Sequence, residues 1–484
     1  MNNVFTIVPI VVFLAAGYAA PIVYRWYRRG LAPLVLASTA MCVVSTLWVV
    51  LQVAREGPQR YFMGGWPPPW GIEIWVDSRA ALGGITLTVV ALLVLVYALK
   101  DSYTELQDSV VGRYFALIMI LLASMYSVIV AADLFNLFVL VELTSLTACG
   151  IIAVKGDKLA TEASFRYLIL GALGSGAILM AVALLYMVTG HLNMALAGEE
   201  ITTAVLNYPR VVYAALGFLL LGMGIKAALF PLHLWLPDAH SSGPTTASAL
   251  LSGLVVKVFI LSLWRIFDLV FGMGLLEAVP ARQLLLALGT LGTLAGSLLA
   301  LGQRDIKRLL AYSTVANIGY IFLGLGLGTP RALAGAALHI IYHAIMKSGL
   351  FLTAGAMAQV AGTRDVHNFS GLGQRLPLTL AAFGVGALGM VGIPPFSGFV
   401  SKWYLTLGAL DAGQPFYVLV ILVASLLSGL YYFPILISAF FGEWSEDKSA
   451  QEPHPMLLGP ILLFALATVL LGLFPGPLLS LLGI

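Results

Sequence analysis

The sequence predicts an all-α, polytopic membrane protein of about fourteen transmembrane helices. Three observations predict it. The 484 residues are 60% hydrophobic and only 10% charged, whereas a soluble domain carries roughly 25% charged residues to cover its wet surface. The apolar residues gather in runs of about 20 or more, long enough to cross a hydrocarbon core ~30 Å thick. Four lysines, Lys226, Lys257, Lys347 and Lys402, stand inside such runs. Lysine at a helix centre costs ~3 kcal/mol even on the mildest insertion scale, so it faces a protein interior or a wet cavity and marks an ion or proton path.

In chain order the predicted spans are 4–25, 31–54, 78–99, 112–131, 132–154, 162–189, 209–231, 244–272, 282–302, 307–328, 331–361, 376–408, 415–441 and 455–481. The first is an anchor rather than a signal peptide, because its positive charges, Arg25, Arg28 and Arg29, follow the apolar run. The longest polar stretches are 55–77, where GGWPPPWGIEIWV suggests a strand or hairpin, and 442–454, a small acidic loop. With the N-terminus outside, fourteen basic residues, Lys307 and Lys448 among them, fall on cytoplasmic loops. Seven, including Arg265, fall outside. That bias predicts outer N- and C-termini in the plasma membrane of a prokaryote.

Composition also excludes functions. A net charge of +3 without a basic cluster gives no support to nucleic-acid binding. Cys42 and Cys149 lie in separate apolar segments and form neither a disulfide framework nor a metal cluster. No CxxC pair serves an iron–sulfur centre, and no GxGxxG run opens a nucleotide-binding unit. GTLGTLAG at 289–296 lies within a span and reads as helix packing. The chain itself is expected to bind no redox cofactor or metal and to contain no redox active site.

Two spans carry breaks. The seventh reads GIKAALFPLHLWLP and the twelfth GMVGIPPFSGFVSKW. Proline removes a backbone donor and clashes with the preceding turn, so both helices should be interrupted. The breaks are five spans apart, an odd offset that suits two five-helix repeats of opposite topology, and broken helices at matching positions point to a transport site. A plain proline kink is the blander reading. The buried lysine within a few residues of each break favours the functional one.

Glu142, in DLFNLFVLVELTSLTAC, is the acidic partner, flanked by apolar residues near the middle of span five. An opposite charge within about 4–6 Å keeps both groups ionised, so a moving partner changes which of them holds a proton. Glu142 with Lys226 is the expected pair; a static helix-to-helix ion pair is the alternative. Asp133 is the other acidic group near mid-membrane. Lys257 lies at the centre of span eight. His233, Asp238 and His240 precede it at the expected cytoplasmic mouth, where they feed protons inward or, for Asp238, cap the next helix. His339, His343 and Lys347 repeat every four residues, which stacks them on one helix face about 6 Å apart. Histidine exchanges protons near neutral pH, so this column reads as a water-bridged relay rather than as three packing residues. Lys402 follows the second break.

DLFNLFVLVELTSL, KAALFPLHLWLPDAH with PTTASALLSGLVVK, RDIKRLLAYSTVANIGY, HIIYHAIMKSGLFL and GIPPFSGFVSKW together resemble the antiporter-like subunits shared by Mrp cation/proton antiporters, respiratory complex I and membrane-bound hydrogenases. The resemblance is specific over spans four to thirteen and weaker at the flanks. It implies fourteen helices arranged as N-terminal helices 1–111, a first inverted repeat 112–272, a second 282–441, and an acidic loop with a last helix over 442–484. It also implies proton translocation through Glu142, Lys226, Lys257, His339, His343, Lys347 and Lys402. Lysine at the position of Lys402 is glutamate in some subunit types, and Asn317 stands where many relatives have another polar residue and receives no role. GGWPPPWGIEIWVD, DLFNLF and TGHLNMA look most like the Mrp D-type subunit, and also resemble its hydrogenase counterpart. The implied partners are other membrane subunits, with sodium, if it crosses, passing through them: Glu142 and Asp133 near mid-membrane form no oxygen-rich cation site.

Overall fold

The computed structural model describes residues 3–272, 281–443 and 451–483. Lys448 and the middle of the acidic loop lie outside the described residues. Twelve helices among the described residues are long and apolar enough to cross a membrane, and they match twelve of the expected spans. The other two spans are helical in pieces. Residues 245–271 form one stretch that alternates between α and π geometry, with π turns at Leu251–Val255 and Phe267–Phe271. Span twelve divides into Pro377–Val391 and Ser397–Asp411, and span seven ends at Lys226 before helix resumes at Leu236. Both breaks thus fall at the proline-bearing segments. The chain is a multi-pass, all-α membrane protein.

The chain forms two compact units: Met1–Leu92 with Asp108–Ala227 and Val255–Arg282, and Leu93–Gln107 with Ala228–Leu254 and Gln283–Ile484. In the first, helix Lys158–Thr189 packs closely on Pro209–Lys226. Glycine makes that approach possible: a Cβ on Gly222 would meet the Gly174 carbonyl at 2.6 Å, and one on Gly174 would meet the Gly222 carbonyl at 3.2 Å. The expected hairpin is present, pairing Gln59–Phe62 antiparallel with Glu73–Val76 and setting Gln59 opposite Val76. Glu73 is buried there, 3.4 Å from Arg60, and accepts from Asn193 at 2.9 Å. Arg265, expected on an outer loop, is instead buried in helix Val256–Ile266 and donates to the Ile129 carbonyl at 3.0 Å and to that of Trp75. A short helix, Met194–Asn207, capped by the Asn193 side chain, was not anticipated because 14 residues cannot span.

The second unit is built around helices Ile306–Leu327 and Pro330–Ala361, whose apolar windows are 94% and 89% buried. Most other spans are far more exposed, so these two are enclosed by protein and can hold polar groups away from lipid. Pro330–Ala361 packs against Ser397–Asp411, Ile306–Leu327, Pro377–Val391 and Pro455–Leu473. The GTLGTLAG run does serve packing: a Cβ on Gly296 would meet the Ala316 backbone nitrogen at 2.5 Å. Lys307, expected on a cytoplasmic loop, is buried in the first turn of its helix and donates to the Gly243 carbonyl at 3.2 Å. Helix ends leave carbonyls without intrahelical donors, and a buried ammonium satisfies one of them here.

Candidate functional site

In the first unit Glu142 lies on helix Leu134–Ala153 and Lys226 closes helix Pro209–Lys226. Their charged atoms are 3.5 Å apart, with the lysine side chain fully buried and the glutamate 31% exposed. The ammonium also donates to Ser145 Oγ at 2.6 Å, and Ser175 donates to the Glu142 carboxylate. A hydroxyl both gives and accepts a hydrogen bond, so Ser145 and Ser175 hold the two charged partners in place. Sequence reasoning missed both. Ser145 was detectable, being three residues after Glu142 and hence on its helix face; Ser175, in GALGSGAIL, gave no signal beyond small size.

Lys257 is buried and follows directly on the π turn Leu251–Val255. Its helix, Val256–Ile266, packs against Asp108–Val130 and Pro209–Lys226. A π turn widens the helix by one residue and re-aims the side chains beyond it, and such turns collect at functional sites. Nothing in the apolar sequence SGLVVKVF announced one. Asp133 lies at a helix start, where it accepts from the Asn136 amide at 2.7 Å as an N-cap.

The second unit holds the remaining candidates. His233 is buried and stacked on Phe230, with ring centroids 5.2 Å apart. His240 is buried and stacked on Phe351 at 4.8 Å. Asp238 pairs with Arg308 at 2.9 Å. The helix beginning at Thr245 receives its cap from elsewhere: both Glu105 carboxylate oxygens accept from the Thr245 amide, at 3.1 and 3.3 Å. The capping alternative for Asp238 is therefore corrected, because a carboxylate 140 residues earlier in the chain fills that position.

His339, His343 and Lys347 share one face of helix Pro330–Ala361, all fully buried. The two imidazole rings are parallel within 9°, their centroids 5.7 Å apart. What the sequence did not reveal is how the column is joined. Lys347 donates to the Leu310 carbonyl at 2.8 Å and to Ser313 Oγ. Asn317 donates to the Ser313 carbonyl at 2.7 Å, and its side-chain oxygen faces His339 Nε2 at 3.1 Å. His339 Nδ1 lies 2.9 Å from Ser401 Oγ. Asn317 thus bridges the two ends of the column. Ser313, Asn317 and Tyr320 are spaced four and three apart, a polar stripe that was visible in AYSTVANIGY.

Lys402 lies beyond this series and is set by the break. Its ammonium donates to the carbonyls of Met390 and Val391, both at 2.9 Å, and to Ser425 at 3.0 Å. Those carbonyls belong to the last turn before the break, where the interrupted helix leaves them unpaired and its dipole is negative. Gly392 makes room: its φ is +91°, and a Cβ there would meet Lys402 Cδ at 2.8 Å. The Tyr320 ring touches both Lys402 and His339, 4.7 Å from the ammonium and 5.5 Å from the imidazole.

Residues 131–428 match the family described as "NADH:quinone oxidoreductase/Mrp antiporter, TM". The chain belongs to this family. Over 94% of the chain and 91% of the relative, it is 40% identical to the N subunit of the NADH-quinone oxidoreductase of Desulforudis audaxviator. It is 30% identical to the D-type subunit of the Na(+)/H(+) antiporter of Bacillus subtilis over 98% of the chain and 94% of that protein. Among solved structures, a chain of the membrane-bound sulfane sulfur reductase, an archaeal respiratory membrane complex, superposes with a TM-score of 0.91 at 31% identity, covering 99% of this chain and 96% of that one. The chain is an antiporter-like membrane protein whose relatives are subunits of both antiporter and respiratory complexes.

Proposed function

We propose that this chain is the proton-translocating subunit of a multisubunit membrane complex. The observation that carries the reading is the buried polar column in which Lys347 bonds the Ser313 hydroxyl, Asn317 links the Ser313 carbonyl to His339, and His339 faces Ser401, all inside an otherwise apolar helix bundle. Buried polar series of this kind are expensive in a membrane protein and mark proton relays. On this reading protons are taken up past His233, Asp238 and His240, held at Lys226 and Lys257, and handed to His339, His343, Lys347 and Lys402. Motion of Glu142 relative to Lys226 gates the transfer, because an ammonium 3.5 Å from a carboxylate holds its proton more tightly than one left alone. The two five-helix repeats, 112–272 and 282–441, are of inverted topology, flanked by 1–111 and 442–484. The N- and C-termini face outward across the plasma membrane of a prokaryote.

The parent complex is an Mrp-type cation/proton antiporter, with any sodium passing through partner subunits. A second reading, the pumping arm of a complex I-like oxidoreductase or membrane-bound hydrogenase with its redox centres in other subunits, is favoured by the 40% identity to an oxidoreductase N subunit. The test uses the assembled complex in proteoliposomes. Lys226→Ala and Glu142→Ala should each abolish coupled ion transport, and intact transport in both would overturn the proton-path reading. The subunits that co-purify in mild detergent decide the parent: small antiporter proteins for the first reading, iron–sulfur or hydrogenase-like proteins for the second.

A further inference from the structure

The geometry points to Ser401 as a positioning residue that lets His339 change its charge without losing a hydrogen bond. This inference rests on the reading of His339 as a proton carrier. It follows from an inventory of hydrogens. Asn317 spends its amide nitrogen on the Ser313 carbonyl at 2.7 Å, so the atom facing His339 Nε2 at 3.1 Å is its oxygen. An amide oxygen only accepts, and Nε2 therefore carries a hydrogen in both charge states. The second ring nitrogen, Nδ1, faces Ser401 Oγ at 2.9 Å.

Ser401 has one hydroxyl proton and two acceptors within reach, His339 Nδ1 and the Gly398 carbonyl at 3.1 Å. With the imidazole neutral, Nδ1 is a lone pair and the hydroxyl donates to it. When a proton binds, the new Nδ1–H donates to Ser401 Oγ, and the hydroxyl proton turns to the Gly398 carbonyl. The Nδ1–H bond forms as the preceding carrier of the relay gives up its bond to that proton, and the only accompanying motion at Ser401 is rotation about its Cβ–Oγ bond. Both states are fully bonded at a residue with no solvent exposure, where an imidazolium N–H without an acceptor would be strongly disfavoured.

The surroundings make this acceptor matter. On its own helix His339 faces the His343 ring, with Lys347 two turns on and the exposed Arg331–Asp411 pair at the helix end. From Ile306–Leu327 it meets Tyr320 edge-on, and from Ser397–Asp411 comes Lys402, whose ammonium lies over that same ring. Helices Thr245–Leu250, Pro377–Val391 and Pro455–Leu473, which also pack on the His339 helix, carry no titratable side chain. The one carboxylate these helices carry is Asp411, which is engaged with Arg331 at the helix end. Beside the Asn317 oxygen, which accepts in both charge states, the Ser401 hydroxyl is the group that turns as His339 changes charge.

The test is 15N magic-angle-spinning spectroscopy of the assembled, histidine-labelled complex in lipid, with His339 assigned by difference against His339→Gln. The neutral ring should carry its hydrogen on Nε2. Ser401→Ala should lower the pH at which Nδ1 becomes protonated by about one pH unit, because the bond to the charged ring is the stronger of the two that are lost. Ser401→Thr, which keeps the hydroxyl, should restore the midpoint. A neutral ring with its hydrogen on Nδ1, an unmoved midpoint in Ser401→Ala, or equal shifts in the alanine and threonine variants would overturn the proposal. Failure of the carrier reading is seen separately, as coupled transport that survives His339→Gln.

Discussion

Replacing Asn317 with leucine tests whether the buried column in the second unit conducts or merely packs. Leucine has the same four-atom side chain, branched at Cγ, as asparagine and is somewhat bulkier, so the change removes polarity without opening a cavity. It deletes two bonds, one to the Ser313 carbonyl at 2.7 Å and one to His339 Nε2 at 3.1 Å. The second is the telling loss. A hydrogen bond to a charged partner is worth ~1.5–3 kcal/mol, and Nε2–H is such a donor whenever His339 carries the transferred proton. If that amount is added to the transfer barrier, at 1.36 kcal/mol per decade the rate falls about 10- to 150-fold. The assay is pH-gradient formation by the assembled complex in proteoliposomes, read with a trapped pH dye, beside a thermal unfolding trace. Folding should be weakened by no more than ~1–3 kcal/mol, so a loss of transport in protein that still assembles reports on conduction. Transport within about twofold of wild type, with His339→Gln inactive, would refute the bridge and leave Asn317 a packing residue.

Three further outcomes follow from the same geometry. Gly392→Ala forces a non-glycine residue to φ +91° and sets a methyl 2.8 Å from Lys402 Cδ; it should cost ~1–3 kcal/mol of stability and depress transport by pushing the ammonium off its two carbonyls, measured by thermal unfolding and dye assay. Gly222→Ala drives a methyl to 2.6 Å from the Gly174 carbonyl, so the two helices must separate and carry Lys226 away from Ser145; transport should fall while Gly217→Ala, with open space around it, behaves as wild type. Glu105→Ala removes the cap on Thr245 and should lower stability by ~0.5–2 kcal/mol with faster hydrogen exchange at the start of that helix.

The sequence carried the spans, the breaks and the titratable residues because each leaves a local mark. Apolar runs are set by hydrocarbon thickness, proline by its missing donor, and a buried lysine by its cost. The partners left fainter marks. Serine and threonine are cheap in membrane helices and commonly bond their own i−4 carbonyl, so Ser175 and Ser425 are indistinguishable in sequence from residues that do nothing else. Asn317 alone reads as one more polar residue, and only its stripe with Ser313 and Tyr320 marks a polar face. Glu105 was illegible for another reason, since a cap supplied across 140 residues has no local signature. Lys307 opens an apolar run and Arg265 lies toward the end of another, so both read as charges at the membrane surface, yet each is drawn inward by backbone carbonyls, which sequence patterns do not display.

That last point bears on how lysines survive inside such a bundle. Lys226 has a carboxylate within ion-pair distance, whereas Lys402 and Lys347 bond to carbonyls and hydroxyls. A fixed carboxylate would hold the ammonium charged through the cycle and trap its proton. Carbonyls offer partial charge, enough to accept N–H bonds when the lysine is protonated and little obstacle when it is not. The break in span twelve creates these acceptors by ending a helix where the lysine side chain reaches it, so proline and lysine belong to one device. Glu142, by contrast, stands partly exposed, where its position can respond to whatever lies against this face. On the proposed proton path the arrangement separates two tasks: a carboxylate whose movement sets when a proton is held, and lysines, bonded to carbonyls and hydroxyls, through which it passes on.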